Sequence, residues 1–268
     1  MMFLDNIKKT NGNYNCFYDS EFNAYDDDKA LGTPQEVVSI GMCVTNEKGV
    51  IIEKFYSLIK LKAAKRISNR CTDITGIRTK DLKGADDFEM VSGKVAKVLK
   101  KYGIKKVFCY GLEDKRVLDR TIELYANKRN GKLISKLLYD VRIDLKKKTK
   151  DKVGDQGLQF LKKICELGGS VQHDALQDAI DLALVYHKVI SNGYNERIYE
   201  VLTKEREELS NYKRARRVRE ENANVVSDVL HNYKNKLVEY LEKNDIPHMD
   251  TGTKKAILDD LNLLFMKE

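Results

Sequence analysis

Short apolar segments alternate with segments of helical periodicity along most of this chain, and this alternation limits the possible folds more than any other feature. Strands are predicted at 15–21, 37–44, 50–59, 107–110 and 137–141, and the second and third form a hairpin closed around residues 46–49. Helices are predicted at 88–101, 115–125, 158–165 and 175–190. The regular exchange of strand and helix in the second half predicts a layered α/β domain.

Two carboxylates, Asp19 and Glu21, lie in the first predicted strand. Residues two apart point to the same face of a strand, so these side chains project together with Cα atoms about 6 to 7 Å apart. Like charges at that separation repel each other unless a cation lies between them, and Mg²⁺ and Mn²⁺ prefer such oxygen ligands. The pair therefore indicates a divalent-metal site, with a surface acidic pair at a strand edge as the alternative.

A histidine and a carboxylate, His173 and Asp178, are five residues apart where the last predicted helix, 175–190, begins. Such a pairing indicates a general base beside a metal ligand, and a surface or helix-capping histidine is the alternative. The other histidines are interpreted as structural. A further acid follows the strand at 107–110, where either Glu113 or Asp114 faces inward at the kind of strand end that carries active sites in open sheets.

Taken in this order, the three acidic motifs resemble those of the DEDDh nucleases, the DnaQ-like 3′-to-5′ exonucleases, over roughly residues 14–190. The segment Thr75-Gly76-Ile77, followed by Ala-Asp-Asp-Phe at 85–88, resembles the RNA-processing branch of that family. The resemblance implies a ribonuclease-H-like mixed sheet flanked by helices. It also implies a metal-dependent exonuclease that hydrolyses single-stranded RNA or DNA from the 3′ end and releases nucleoside 5′-monophosphates.

Residue by residue, the resemblance implies roles for nine positions. The general base would be His173, and spacing from Gly111 favours Asp114 over Glu113 as the inward acid. Two divalent ions, Mg²⁺ or Mn²⁺, would be held by Asp19, Glu21, Asp114 and Asp178. The terminal nucleotide would lie against Phe22, Thr75, Gly76 and Ile77. For Phe22, plain core packing is an equally good interpretation.

The charge balance favours a polyanionic partner, because 49 basic residues oppose 41 acidic ones and give a net charge of +8. Basic clusters at 146–152 and 213–219 are candidates for phosphate contacts, with a solvated loop and a solvated helix face as the alternatives. The predicted partner is nucleic acid with a single-stranded 3′ end, RNA or DNA. No membrane partner is expected, and protein partners are left open.

The absence of a secretory signal or an apolar membrane-spanning run predicts a soluble, cytoplasmic protein. Five cysteines without Cys-x-x-Cys spacing fit a reducing compartment and argue against a disulfide framework. No phosphate-binding glycine loop, nucleophile elbow or zinc-ligand cluster competes with the nuclease interpretation.

Composition changes after Ser191-Asn192-Gly193, beyond which the sequence predicts charge-rich helices and no strands. We therefore predict an exonuclease domain at 1–192, a basic helical linker at 193–228 and a small α-helical module at 229–268. The module resembles SAP-type nucleic-acid-binding modules, and a helical hairpin for self-association is the alternative. For the whole chain, the rival functions are a non-catalytic RNA- or DNA-binding module on the same fold and a DNA-specific trimming or proofreading exonuclease.

Overall fold

The computed structural model describes residues 12–23, 35–168 and 173–243, together with residues 250, 252, 253, 255–257 and 259. The chain divides into two compact units, Met1–Tyr199 and Glu200–Glu268. The first unit carries a five-stranded sheet covered by helices. The described part of the second unit is helical.

The sheet combines an antiparallel and a parallel half. Its strands run in the order β3-β2-β1-β4-β5, and the first three are antiparallel while β4 lies parallel to both β1 and β5. Their bounds are β1 Tyr14–Asn23, β2 Glu36–Asn46, β3 Ile51–Leu58, β4 Val107–Cys109 and β5 Leu138–Asp140. All five predicted strands are confirmed, as is the predicted class of a mixed sheet flanked by helices.

The four predicted helices are also confirmed, and the described residues before α8 contain four further helical segments. The predicted helices are α2 Phe88–Lys101, α3 Glu113–Glu123, α6 Leu158–Ile164 and α7 Ala175–Asn192. The additional segments are α1 Asn69–Thr75, a 3₁₀ turn at Thr79–Leu82, α4 Arg129–Leu137 and α5 Arg142–Thr149. Each spans at most nine residues, so each is too short to show a clear helical period. Residues 146–149 of the lysine-rich segment 146–152 form the end of α5.

Strand alternation separates two layers of core. Cys16 and Tyr18 of β1 face a cluster that includes residues of α2, α3 and α4, among them Phe88 and Leu118. Phe17 points the other way, and its ring lies 5.4 Å from that of Tyr186 on α7. Because both faces are covered, β2 is buried along nearly its whole length.

A glycine on β2 sets the position of α7. A Cβ atom built at Gly41 would lie only 2.0 Å from the carbonyl carbon of Ala175, the first residue of α7. Only glycine therefore allows this helix to begin directly against the sheet. Gly41 pairs with Asp19 in the β1–β2 ladder, so the first turn of α7 starts beside that carboxylate.

The long helix α8, Glu196–Lys243, follows α7. Every side chain at 204–225 is exposed. The helix continues through residue 228, where the linker was predicted to end, and the division into linker and module stays a prediction. Residues 244–249, 251, 254, 258 and 260–268 of the predicted SAP-like module lie outside the described residues. Within the part of the chain that the structure describes, no helix has the length and apolar character needed to cross a membrane. All five cysteines are buried, and none is in a disulfide bond.

Candidate active site

The first two carboxylates of the site come from β1. Strand alternation places Asp19 and Glu21 on the same face as Phe17, which is the face covered by α7. Glu21 is only 8% exposed, and the strand pairing shifts register immediately after it, between Glu21 and Phe22. Such an irregularity changes the direction of the side chains that follow it. Asp19 and Glu21 therefore lie on one face of β1, as their spacing predicts.

The third carboxylate, Asp114, lies in the first turn of α3 and is buried. Its Oδ1 accepts hydrogen bonds from the backbone N–H of Ser20 at 3.0 Å and from the Ser20 hydroxyl at 2.7 Å. These two bonds join α3 to β1 between Asp19 and Glu21. Glu113 is exposed and accepts a hydrogen bond from Arg116 Nε at 2.8 Å, so it faces away from the site.

An anchored loop carries Asp114 from β4 into α3. Gly111 has a φ of 87°, and its N–H donates to Asp140 Oδ1 at 3.1 Å. Arg142 in turn donates from Nη2 to Asp140 Oδ2 at 2.7 Å. Asp140 thereby fixes the loop from the neighbouring parallel strand. Asp140 was not predicted from the sequence, because Gly111 comes close to it only once β4 and β5 pair.

The fourth carboxylate, Asp178, lies in the first turn of α7. The helix is capped by Asp174, whose side chain accepts from the N–H of Gln177 at 2.8 Å. His173 precedes the cap, is 58% exposed, and places Nδ1 3.9 Å from Asp178 Oδ2. That separation is too long for a hydrogen bond. One ligand atom each of Glu21, His173 and Asp178 lie within 4.8 Å of one another, as a shared metal ion requires.

A cavity of about 270 Å³ joins these groups. Its far wall is apolar and comes from α1, where Ile74 is 44% exposed. The residues that line it are Asp19, Ser20, Glu21, Phe22, Cys71, Ile74, Thr75, Asp114, His173 and Asp178. The structure therefore brings together all five predicted catalytic residues and two of the four predicted nucleotide contacts. Cys71 and Ile74 were missed. Cys71 lies three residues before Ile74 and four before Thr75, and this helical spacing has a meaning only once α1 is known.

The remaining two predicted contacts, Gly76 and Ile77, follow Thr75 at the end of α1. Gly76 ends α1 in the left-handed conformation, with a φ of 75°. Ile77 is buried in a small cluster with Val38. Its N–H donates to the hydroxyl oxygen of Thr75 at 3.1 Å. Ile77 therefore helps to hold Thr75 in place, and neither Gly76 nor Ile77 is among the residues that line the cavity. Phe22 does line it, and also packs against the main core.

Burial raises the pKa of all four carboxyl groups in the cavity. Burial is the largest cause for Asp19, whose pKa lies well above its usual value, and Asp114, Glu21 and Asp178 add repulsion. Burial raises the pKa of Glu21 to about 7, with Asp178 contributing next. Burial also raises the pKa of Asp114 to about 6, although the Ser20 hydrogen bonds oppose the shift. For Asp178 the pKa rises to about 6 through burial, and His173 opposes it.

The donor set fits hard divalent cations. Four carboxylates supply oxygen ligands, which Mg²⁺ and Mn²⁺ prefer, and no lysine or arginine is among the described residues that line the cavity. Burial is the largest cause of the raised carboxyl pKa values, and for Asp19 and Glu21 repulsion from the neighbouring carboxylates adds to it. A divalent ion would relieve that repulsion.

Comparison with known families gives one match. The family model RNase_T, described as Exonuclease, matches residues 16–186, which include every residue that lines the cavity. A comparison with curated proteins found no match.

Comparison with solved structures gives several matches of low sequence identity. The nuclease domain of 3′hExo, a DEDDh family member bound to rAMP, is 19% identical with a TM-score of 0.60, over 70% of this chain and 96% of that one. A 3′-exonuclease described in 3′-end specific recognition of a histone mRNA stem-loop is 17% identical with a TM-score of 0.59, over 71% and 68%. Cell-death related nuclease 4 is 17% identical with a TM-score of 0.56, over 69% and 66%. Against a full-length 3′-exonuclease, the match spans 64% of that chain. At these identities the likeness shows the fold, and the predicted ribonuclease-H-like fold is confirmed.

Proposed function

Because the chain belongs to the RNase_T exonuclease family, we propose that it is a metal-dependent 3′-to-5′ exonuclease acting on single-stranded RNA or DNA. Its products would be nucleoside 5′-monophosphates. One observation carries the proposal: Asp19, Glu21, Asp114 and Asp178, from three separate elements, meet in a cavity of about 270 Å³ with His173 at its edge. This is the DEDDh set of side chains that the sequence predicts.

The four carboxylates are proposed as ligands of two divalent ions, Mg²⁺ or Mn²⁺. When bound, such a pair supplies an acidified water and stabilises negative charge on the phosphate and on the leaving 3′ oxygen. The protein supplies the geometry. Asp114 is oriented by its two hydrogen bonds from Ser20, and Asp178 is placed by the close approach of α7 to Gly41.

His173 is proposed as the general base that removes a proton from the attacking water. Histidine exchanges protons near neutral pH more readily than other side chains. His173 is well exposed and can therefore pass the proton on to solvent. The nearby Asp178 carboxylate would stabilise the imidazolium that forms, since opposite charges at about 4 Å attract.

The terminal nucleoside is proposed to lie between Phe22 and the exposed face of α1. Phe22 offers a ring on one side of the cavity, and Ile74 offers an apolar surface on the other. Thr75 is held between them, because its hydroxyl donates to the carbonyl of Cys71 at 2.7 Å. These contacts involve the base and not the sugar, which fits a site that accepts either RNA or DNA.

The proposal is tested by incubating the purified protein with 5′-labelled single-stranded RNA and DNA of matched sequence, with Mg²⁺, with Mn²⁺ or with a chelator. We expect a metal-dependent ladder that shortens from the 3′ end, and comparison of the two strands gives the sugar preference. Binding of both strands without cleavage would contradict the proposal and support the non-catalytic RNA- or DNA-binding module. The cytoplasmic location and the division into domain, linker and module stay predictions from the sequence.

A further inference from the structure

A second cavity, of about 380 Å³, lies within the first unit and away from the carboxylates. Its walls come from the turn that follows α5 and from the junction between α7 and α8. The lining residues are Lys148, Thr149, Lys150, Lys152, Gly193, Tyr194 and Glu196. Three of the seven lining residues are lysines and one is a glutamate, so the cavity carries a net positive charge.

The turn that carries these lysines is fixed in an unfavourable backbone conformation. Lys150 and Asp151 are consecutive non-glycine residues with φ values of 53° and 66°, in the left-handed region that disfavours L-residues. The carbonyl of Lys146 accepts hydrogen bonds from both of their amides. The Tyr199 hydroxyl donates to the carbonyl of Lys152 at 3.0 Å. Such strain persists where the surrounding structure enforces it, and it often accompanies a functional site.

Two of the three lysines lack an intramolecular counter-charge. Lys152 forms an ion pair with Glu196 at 3.5 Å. Within the described part of the chain, Lys148 and Lys150 form no ion pair. Lysines in the last turn of a helix are often explained by the helix dipole, and this explanation covers Lys148. It does not cover Lys150, which lies beyond the end of α5.

The distribution of charge over the chain points to the same unit. Residues 1–199 contain 36 basic and 27 acidic residues, whereas residues 200–268 contain 13 and 14. The whole positive excess of the protein therefore belongs to the unit that holds both cavities. A polyanion would be attracted to this unit before the other.

The second cavity lies at the opposite end of α7 from the catalytic site. Asp178 is in the first turn of this helix and Gly193 follows its last residue, which corresponds to about 22 Å at the usual helical rise. A stacked strand advances about 3.4 Å for each phosphate, so about six or seven nucleotides would cover that distance. A trinucleotide held at the catalytic site is too short to reach the second cavity.

We infer that the cavity around Lys148 and Lys150 is an exosite for the phosphate backbone of the nucleic-acid substrate, several nucleotides on the 5′ side of the end being cleaved. The inference rests on the proposed nuclease function. Its chemistry is that of ammonium groups on phosphate oxygens, without readout of the bases. A substrate that engages both sites is held more tightly than one that engages the catalytic site alone, because the second contact is intramolecular.

The first experiment measures binding without cleavage. Fluorescence anisotropy of a 5′-labelled 20-nucleotide single strand is recorded in chelator over a range of salt concentrations for the full chain. The variant Lys148→Gln/Lys150→Gln is compared with a control, Lys147→Gln/Lys163→Gln, which removes the same charge from exposed positions outside the cavity. We expect the exosite variant to bind about tenfold more weakly and its log–log salt slope to fall by about 1.4. The control should change affinity less than twofold.

The second experiment measures cleavage in Mg²⁺ of a 20-nucleotide strand and of a trinucleotide. We divide kcat/KM for the 20-nucleotide strand by kcat/KM for the trinucleotide. This ratio should fall about tenfold in the exosite variant and stay near the wild-type value in the control. Equal effects of the two variants on binding and on this ratio would overturn the exosite. Absence of cleavage by the wild-type protein would refute the proposed function instead, and the anisotropy comparison would still decide whether the exosite exists.

Discussion

At the scale of single residues, the carboxylates of the catalytic cavity make the metal-free protein less stable as the pH rises. Burial raises the pKa of Glu21 to about 7, whereas an unfolded glutamate titrates near about 4.3. Between these values the folded protein binds more protons than the unfolded chain. The free energy of unfolding therefore falls as the pH rises through this window.

We expect Glu21→Gln to stabilise the metal-free protein at pH 8 by roughly 1 to 3 kcal/mol, because it removes a buried charge that is repelled by its neighbours. The matched control is Glu113→Gln, whose carboxyl pKa is lowered by its hydrogen bond with Arg116 and which should give no stabilisation. Urea unfolding in chelator at pH 5.5 and pH 8 measures both. A wild-type stability that rises between these pH values would contradict the assignment.

The role of Asp178 as a ligand is tested by a substitution that keeps its shape. Asp178→Asn should lower metal-dependent turnover more than about 100-fold, since even residues that only support metal ligands contribute 10- to 100-fold. Asp174→Asn is the matched control, because asparagine caps a helix as well as aspartate and the same charge is removed four residues away. Its turnover should stay within about fivefold of wild type. Similar losses in the two variants would indicate a general charge effect, with Asp178 not a ligand.

The role of His173 as a base predicts a loss of rate without an equal loss of binding. His173→Ala should lower kcat by about 10² to 10⁴-fold, the usual contribution of a general base. Single-turnover rates at saturating enzyme, compared with oligonucleotide affinity, separate the two effects. An unchanged rate would make His173 a bystander at the edge of the cavity. A loss confined to affinity would make it a substrate contact.

At the scale of secondary-structure elements, the contact between α7 and β2 determines where Asp178 lies. Gly41→Ala would place a methyl group 2.0 Å from the Ala175 carbonyl carbon, so α7 must move away from the sheet. We expect a destabilisation of about 1 to 3 kcal/mol and a marked loss of turnover.

The control Gly93→Ala lies within α2, where the new methyl meets only Asn130 at 3.5 Å. It should stabilise by about 0.5 to 1 kcal/mol. Thermal unfolding and turnover of both variants check this, and a tolerated Gly41→Ala would show that α7 can be repositioned freely.

The sequence predicted those elements whose own residues carry the signal. The helix Phe88–Lys101 was predicted with its observed bounds, and the structure shows that Asp87 caps its first turn. Asp19 and Glu21 were found because residues two apart share one face of a strand, and Asp114 and Asp178 because each stands near the start of a predicted helix. Asp140 and Ile74 were missed for a physical reason, since their contacts arise only after β4 pairs with β5 and α1 forms. Local spacing cannot reveal a partner that the tertiary fold brings close.

At the scale of the whole molecule, the net charge of +8 is unevenly distributed along the chain. The segment 193–228, predicted as a basic linker, contains eight basic and eight acidic residues. Its basic character is confined to 213–219. Two of those arginines are paired within the helix, Arg216 with Glu220 at 2.7 Å and Arg217 with Glu221 at 2.8 Å. The local charge available to a nucleic acid is accordingly smaller than the sequence pattern indicates.

This difference predicts that α8 contributes less to nucleic-acid binding than the cavity around Lys148 and Lys150. We expect Arg214→Gln/Arg216→Gln/Arg217→Gln to weaken binding of a 20-nucleotide strand less than threefold, although it removes more charge than the double lysine variant. Arginines already paired with glutamates release fewer counterions from the nucleic acid, so the salt slope should fall by less than about 1.4. Anisotropy titrations at several salt concentrations measure both variants side by side. A larger slope change in the α8 variant would instead identify that helix as the principal backbone contact.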